Sequence, residues 1–201
     1  MQDVQEYKSS SSAGLRERKR AETHARIQAE AMRLFLERGF EATTLDDVAA
    51  AAEVSRRTLF HYFGSKEEIV FSTKAGFPDR IRAAIAARPA DEPLLDMVEN
   101  ALTDMASGTD PRARALARLI RDTPSLRAGD QAKYETIERV LATALAERKG
   151  LAPDDIDCWI TAATAIGILK LSMQAWLDGA PDDDPATFGR AAFAALRRMA
   201  R

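Results

Sequence analysis

Apolar residues recur at helical spacing along nearly the whole chain, and the alternation that marks strands is almost absent. Ile27, Ala31, Leu34 and Phe35 lay one apolar stripe along a stretch rich in Ala, Arg and Glu, and Gly39 then supplies the residue type that most readily ends a helix. This predicts a helix over 15–38. Thr44, with Asp47 three residues on, resembles a capping box that uses Asp where Glu or Gln is preferred, and it opens a short helix over 45–52. Ser55 is an N-cap for two turns over 56–62, which Phe63-Gly64-Ser65 interrupts. Ser65 caps a fourth helix running from 66 toward 75, with Glu67 and Glu68 in the first turn, where carboxylates favour the positive end of the helix dipole.

Beyond Phe77-Pro78 the segments lengthen, become Ala/Leu-rich and are punctuated by Pro89, Pro93, Asp110-Pro111, Pro124, Pro153 and Pro185. Proline is tolerated in a first turn but not inside a helix, so these positions predict helices over 79–87, 93–106, 111–122, 125–148, 153–178 and 185–199. No internal repeat is present. The polar opening with its Ser9–Ser12 run reads as a flexible arm over 1–14. The expected architecture is all-α, with a three-helix helix-turn-helix domain over 15–75 and a helical domain over 76–201.

With 201 residues, 46% of them hydrophobic and 30% charged, the chain is long enough for one or two packed domains. The longest apolar candidate for a membrane span, 159–171, is broken by Lys170 and falls short of the ~18 residues required. The opening stretch lacks the apolar core of a secretion signal, and the lone Cys158 forms no internal disulfide, so the expected location is the cytoplasm. His24, His61 and Cys158 are too few and too scattered for a zinc site. The short signatures of dinucleotide, phosphate, acyl-transfer and zinc chemistry are missing, which argues against an enzyme and against any metal or cofactor.

Net charge is −2, yet its distribution is uneven. Residues 16–26 carry five basic side chains (Arg16, Arg18, Lys19, Arg20, Arg26) against two acids, and residues 54–66 carry three (Arg56, Arg57, Lys66) against none. Two short helices joined by a few residues, the second apolar inside and basic outside, have the layout of a helix-turn-helix reader of DNA. Val48, Ala49, Ala52, Val54 and Leu59 are expected to pack against Ile27, Leu34 and Phe35, leaving Ser55, Arg56, Arg57, Thr58 and His61 outward. Arginine bonds the O6 and N7 acceptors of guanine in pairs, whereas Ser, Thr, Tyr and Lys at helix ends suit phosphate oxygens. Arg18, Lys19 and Arg20 sit where a solvated helix end and a phosphate contact are both open. Phe60 and Phe63 read as core anchors, and His61 as a phosphate or packing residue.

The run from Arg38-Gly39-Phe40-Glu41-Ala42-Thr43-Thr44-Leu45-Asp46-Asp47-Val48-Ala49 to Val54-Ser55-Arg56-Arg57-Thr58-Leu59-Phe60-His61-Tyr62-Phe63-Gly64-Ser65-Lys66-Glu67-Glu68 resembles the DNA-binding domain of TetR-family transcriptional regulators. The resemblance covers about residues 26–70 and implies that Thr44 touches a phosphate, that Ser55 to His61 face the major groove, and that Tyr62 and Lys66 clamp the backbone. Glu53 departs from the family, which usually has glycine there, so a differently shaped turn is expected. For the remainder, the resemblance implies a homodimer on a palindromic operator in double-stranded DNA, with recognition helices about 34 to 36 Å apart or a multiple of one DNA turn, and a small-molecule effector that releases it.

The 153–178 segment supports a dimer on its own pattern, because Trp159, Ala163, Ile166, Lys170, Met173 and Leu177 fall on one face and Ile160, Thr164, Gly167 and Leu171 on another. A helix apolar on nearly all sides needs cover on all sides. The segment over 113–146, with Leu116-Ala117-Arg118-Leu119 and Ala132-Lys133-Tyr134, resembles the C-terminal domain of mycofactocin-system regulators. That implies an acyl-thioester or other amphipathic acid as effector, with Arg118, Arg121, Lys133 and Lys170 as anion partners. Met97, Tyr134, Trp159, Ile166 and Met173 complete the candidate pocket, although such residues at helical spacing also suit plain core. Lys170 has a competing reading with its ammonium in water or on an acid. The alternatives in other classes are a helical adaptor for an acidic protein partner and an enzyme using the C-terminal pocket.

Overall fold

A computed structural model describes the backbone of residues 3–107, 111–180 and 182–199 and the side chains of 14–107, 112–180 and 182–199. Met1 and Gln2 of the expected arm, and Asp110 of the expected Asp110-Pro111 helix start, lie outside the described residues. Within them the chain forms ten helices and no strand: α1 Asp3–Arg38, α2 Leu45–Ala51, α3 Arg56–Tyr62, α4 Lys66–Ser72, α5 Phe77–Ala86, α6 Leu94–Ala106, α7 Pro111–Asp122, α8 Pro124–Lys149, α9 Ile156–Asp178 and α10 Pro185–Met199. They fall into two compact units, Met1–Lys74 and Ala75–Arg201.

In the first unit, α1 donates Ile27, Ala31, Leu34 and Phe35 to a core completed by Val48, Ala49 and Ala52 around α2, Leu59 and Phe63 around α3, and Ile69 and Val70 of α4. Each large side chain among them stabilises the unit by about 1.5–3 kcal/mol relative to exposure. Val54, expected in that core, is only half-buried. α1 starts at Asp3 rather than at 15, so helical backbone runs through the Ser9–Ser12 stretch. Apolar periodicity marks where a helix is packed, not where it begins. Residues 14–22 are all exposed, and an existing helix extends into polar sequence without a new nucleus.

The second unit is built around α9, which packs against α8, α10, α6 and α7. Its core joins Ile81 and Ile85 of α5, Met97 and Val98 of α6, Leu141 and Leu145 of α8, Ala162 and Ala165 of α9, and Phe193 of α10. α8 ends in a Schellman motif: Gly150 takes φ 67°, Leu151 N–H donates to Ala146 O at 2.9 Å and Gly150 N–H to Glu147 O at 3.3 Å. α9 starts three residues after Pro153, because the Asp155 carboxylate accepts from the Asp157 and Cys158 N–H groups at 3.1 Å each and fixes the N-cap there. Burial and the Asp155 carboxylate push the Cys158 thiol up to about 11, and the side chain is fully buried in the core of this unit.

The buried face of α9 is rotated from the one the sequence pattern suggests. Cys158, Ala162, Ala165, Ile166, Ser172, Trp176 and Leu177 are buried, while Trp159 and Met173 are half-buried and Ala163 and Lys170 exposed. Small residues carry much of the core face, and small residues register weakly in an apolar pattern. By length and composition alone α9 is apolar enough to cross a bilayer, but this face is packed inside its own unit.

Candidate nucleic-acid interface

The two short helices of the first unit are fixed by side-chain caps at each start. Thr44 Oγ1 accepts from Asp47 N–H at 3.1 Å while Asp47 Oδ2 accepts from Thr44 N–H at 2.8 Å, which closes the capping box expected from sequence. The hydrogen bond from the Thr44 hydroxyl, followed by that from its backbone, holds the Asp47 carboxyl below its ordinary value. Ser55 Oγ accepts from Thr58 N–H at 3.0 Å and starts α3. Its hydroxyl also lies 2.7 Å from the Thr58 hydroxyl, so both side chains are held at the helix start.

The turn between α2 and α3 is a Schellman motif as well. Val54 N–H donates to Ala49 O at 3.0 Å and Glu53 N–H to Ala50 O at 3.2 Å, and Glu53 takes φ 52°. The expectation of a differently shaped turn is therefore corrected: Glu53 adopts the left-handed backbone for which glycine is the usual residue. From α1, Arg26 Nε donates to Ala52 O at 3.0 Å, which ties the end of α2 to the longest helix of the unit.

α3 buries Leu59 inward and exposes Ser55, Arg56, Arg57 and His61, with Thr58 half-buried. Arg57 makes no hydrogen bond or ion pair among the described residues, whereas Arg56 does not stand unopposed as the sequence suggests. Its Nη1 meets Asp46 Oδ2 of α2 at 3.0 Å, with both side chains more than half exposed. Asp46 lies ten residues earlier, outside the basic run, and only the packing of α2 beside α3 brings it near. Phe60 is also corrected: it is 45% exposed on the outer face, with the Arg56 guanidinium 5.6 Å from its ring centre, while Phe63 alone is the buried anchor.

Tyr62 is half-buried, edge-on to His24 of α1 at 6.3 Å and to His61 at 5.6 Å. Lys66 donates its ammonium to Phe40 O at 2.8 Å and sits over the Phe40 ring at 4.6 Å, so it braces the end of α1 and keeps two further N–H donors. Arg18, Lys19 and Arg20 are exposed on α1.

Apart from Lys170 and Tyr134, which meet, the pocket candidates of the second unit do not converge. Met97 and Ile166 are core, and the Trp159 indole N–H donates to Pro153 O at 3.2 Å. Arg118 reaches Leu177 O at 3.4 Å, and Arg121 sits between Asp122 and Asp178 at 2.9 Å from each. Lys170 is exposed with its ammonium 4.5 Å from the centre of the Tyr134 ring. Burial and then the Asp130 carboxylate push the Tyr134 hydroxyl up to about 12. Only Met173 of the candidates lines the apolar cleft between α6, α9 and α10, a space of about 70 Å³ bounded also by Leu102, Ile168, Leu169, Ala186 and Phe193. The cleft holds one feature the sequence did not reveal, a buried Ser172 hydroxyl without a hydrogen-bond partner among the described residues.

A capped pair of short helices, the second with a buried inner face and an exposed cationic outer face, defines a helix-turn-helix DNA-binding unit. Residues 27–73 match the family of bacterial regulatory proteins of the tetR type, and residues 89–200 match the MftR C-terminal domain. The regulator TcmR of Streptomyces glaucescens is 35% identical over 151 residues, 71% of this chain and 67% of that one. MftR of Mycobacterium tuberculosis, named for regulation of mycofactocin biosynthesis, is 32% identical over 167 residues, 80% of this chain and 82% of its own. Among solved structures, the TetR-family repressor FadR of Thermus thermophilus in complex with lauroyl-CoA superposes with a TM-score of 0.54 at 25% identity, covering 87% of this chain and 93% of that one. The chain belongs to the TetR family of transcriptional regulators.

Proposed function

We propose that this protein is a ligand-responsive repressor that binds a palindromic operator in the cytoplasm as a homodimer. The observation that carries the reading is the outer face of α3, where Arg56, Arg57 and His61 are exposed over a buried Leu59. A helix so presented fits the major groove, with Arg57 and Arg56 offered to guanine edges. Ser55, Thr58 and Tyr62 toward its ends, Lys66 at the start of α4, Thr44 at the start of α2, and Arg18, Lys19 and Arg20 on α1 are assigned to phosphates, which fix register without reading sequence.

The outer stripe of α9 supports the dimer. Ile160 and Leu171 are 58% and 69% exposed and are joined by Thr164 and Gly167 at helical spacing. A second copy covers this stripe.

The effector we propose is an amphipathic acid of the acyl-thioester class, supported by the lauroyl-CoA bound in the related FadR structure. The apolar cleft beside Ser172 is too small for an acyl chain as it stands, since ligand pockets commonly span about 300–1,000 Å³. A ligand that requires the cleft wider favours the conformation in which it is wider, and DNA affinity falls to the extent that this conformation binds DNA less well.

Selection of bound duplexes from a random pool tests the reading. A recovered twofold-symmetric site, released when lauroyl-CoA is added, is the expected result. Recovery of no preferred sequence overturns the operator reading, and a site that no acyl-CoA releases overturns the effector class.

A further inference from the structure

The outer face of α3 carries an aromatic residue that the core of its own unit does not use. Leu59 and Phe63 are fully buried and hold the helix in place, whereas Phe60 between them is 45% exposed. Arg56 precedes Phe60 by four residues, so the two side chains lie on one face of the helix, and the guanidinium is 5.6 Å from the ring centre. On its other side the same guanidinium is held at 3.0 Å by Asp46 of α2. Carboxylate, guanidinium and phenyl ring therefore form one exposed row across the two helices.

In that row the groups have separate roles. Asp46 occupies one N–H of Arg56, and the ring limits where the guanidinium plane can lie, so the remaining donors of its fork stay directed outward. The ring itself donates nothing and accepts nothing. An exposed phenyl on a helix that enters the major groove needs an apolar partner there, and the only apolar group on the base edges of that groove is the C5-methyl of thymine. We infer that Phe60 is a specificity-determining residue that packs on a thymine methyl, next to the base pair offered to Arg56. This rests on the reading of α3 as the groove-entering helix.

The experiment replaces each thymine of the selected operator by deoxyuridine, which removes only the methyl group. Affinities are then measured by fluorescence anisotropy at one fixed salt concentration. At one symmetry-related pair of positions the wild-type protein should lose about fourfold in affinity per half-site, the worth of one buried methyl-sized group. Phe60→Ala should bind the thymine operator more weakly and should not distinguish thymine from uracil at that pair. Phe60 is exposed, so the thermal melt of Phe60→Ala should match that of the wild type, and the uridine series on unaltered protein stands independently of any variant.

A selected operator on which the wild type is indifferent to every thymine-to-uracil change overturns the inference and leaves the groove reading intact. So does a Phe60→Ala protein that keeps the wild-type ratio. Failure to select any preferred duplex overturns the groove reading and the inference with it.

Discussion

The guanidinium of Arg114 lies 5.2 Å from the centre of the Trp176 ring and donates to the Trp176 and Gly179 carbonyls at 2.7 Å each and to the Ala180 carbonyl. A cation from α7 is thus buried against the end of α9, where it meets carbonyl oxygens. The last carbonyls of a helix have no partner inside it and form the negative end of its dipole, so an arginine fork suits this place.

Arg114→Met should therefore remove a charged donor from three carbonyls, leaving Trp176 O with the Gly179 N–H and Ala180 O with the Asp183 N–H but Gly179 O with neither, and destabilise the protein by about 3 kcal/mol. Arg114→Lys should recover only part of the loss, because a single ammonium cannot span three carbonyls as a planar fork does. Urea unfolding followed by circular dichroism measures both. An Arg114→Met midpoint equal to that of the wild type rejects this role.

Glu53 gives a prediction of opposite sign. It occupies the left-handed position of the turn at φ 52°, which costs a residue with a Cβ roughly 1–2 kcal/mol. Glycine removes that cost but has more freedom to lose on folding, so Glu53→Gly should stabilise by only about 0.5–1 kcal/mol. Glu53→Ala keeps the Cβ and should give no such gain. A lower melting temperature for Glu53→Gly than for the wild type would contradict the strain.

These two sites mark where the sequence was legible and where it was not. The ten helices follow from short-range signals: Thr44, Ser55 and Ser65 start theirs as capping residues do, and Gly39 and Gly150 follow the ends of α1 and α8. The inward residues of α1 to α3 follow from periodicity. What escaped depends on contacts between elements. Arg114 lies on a helix whose basic residues read alike along the chain, and only its meeting with Trp176, 62 residues away, distinguishes it from Arg118 and Arg121. Asp46 beside Arg56 is hidden for the same reason. The outward placement of Phe60 is not legible in the sequence because the short α3 leaves too few turns for the apolar pattern to fix which side of the helix an aromatic occupies.

The capping box of α2 should titrate. Asp47 is held below its ordinary pKa by the Thr44 hydroxyl and then by the Thr44 backbone N–H. A carboxylate with a depressed folded pKa contributes stability that is present above its unfolded pKa of about 3.9 and is lost as pH falls through the lower folded value. Carboxyl carbon chemical shifts of Asp47 should give a midpoint below the ordinary Asp value of about 3.9, and Thr44→Val should move it upward. Coincident titration of Asp47 in both proteins would show that the hydroxyl does not hold the charge.

The arginines of α3 separate by what opposes them. Arg57→Ala and Arg56→Ala should each cost about 1–3 kcal/mol on the operator and relax preference at one base pair, if that arginine bonds guanine. Equal losses on operator and random duplex would assign the residue to phosphate. Asp46→Asn removes the charge that holds Arg56, so random-duplex affinity should rise while the ratio of operator to random binding falls. Binding isotherms on the two duplexes at matched salt measure that ratio, and an unchanged ratio rules out an orienting role for Asp46.

Leu171 tests the assembly. It is 69% exposed on the outer stripe of α9, so it contributes little to the core of its own unit. In a twofold interface centred on that stripe, a carboxylate at 171 approaches its own image and both charges lose water, which is unfavourable twice over. Leu171→Glu should therefore sediment as a monomer at concentrations where the wild type is a dimer, while its helical content is retained. Each monomer then holds one half-site alone, and operator affinity should drop by roughly 100-fold or more once the second head no longer acts at high effective concentration. If Leu171→Glu remains dimeric in sedimentation velocity, the twofold contact lies on another face and the exposed stripe of α9 requires a different explanation.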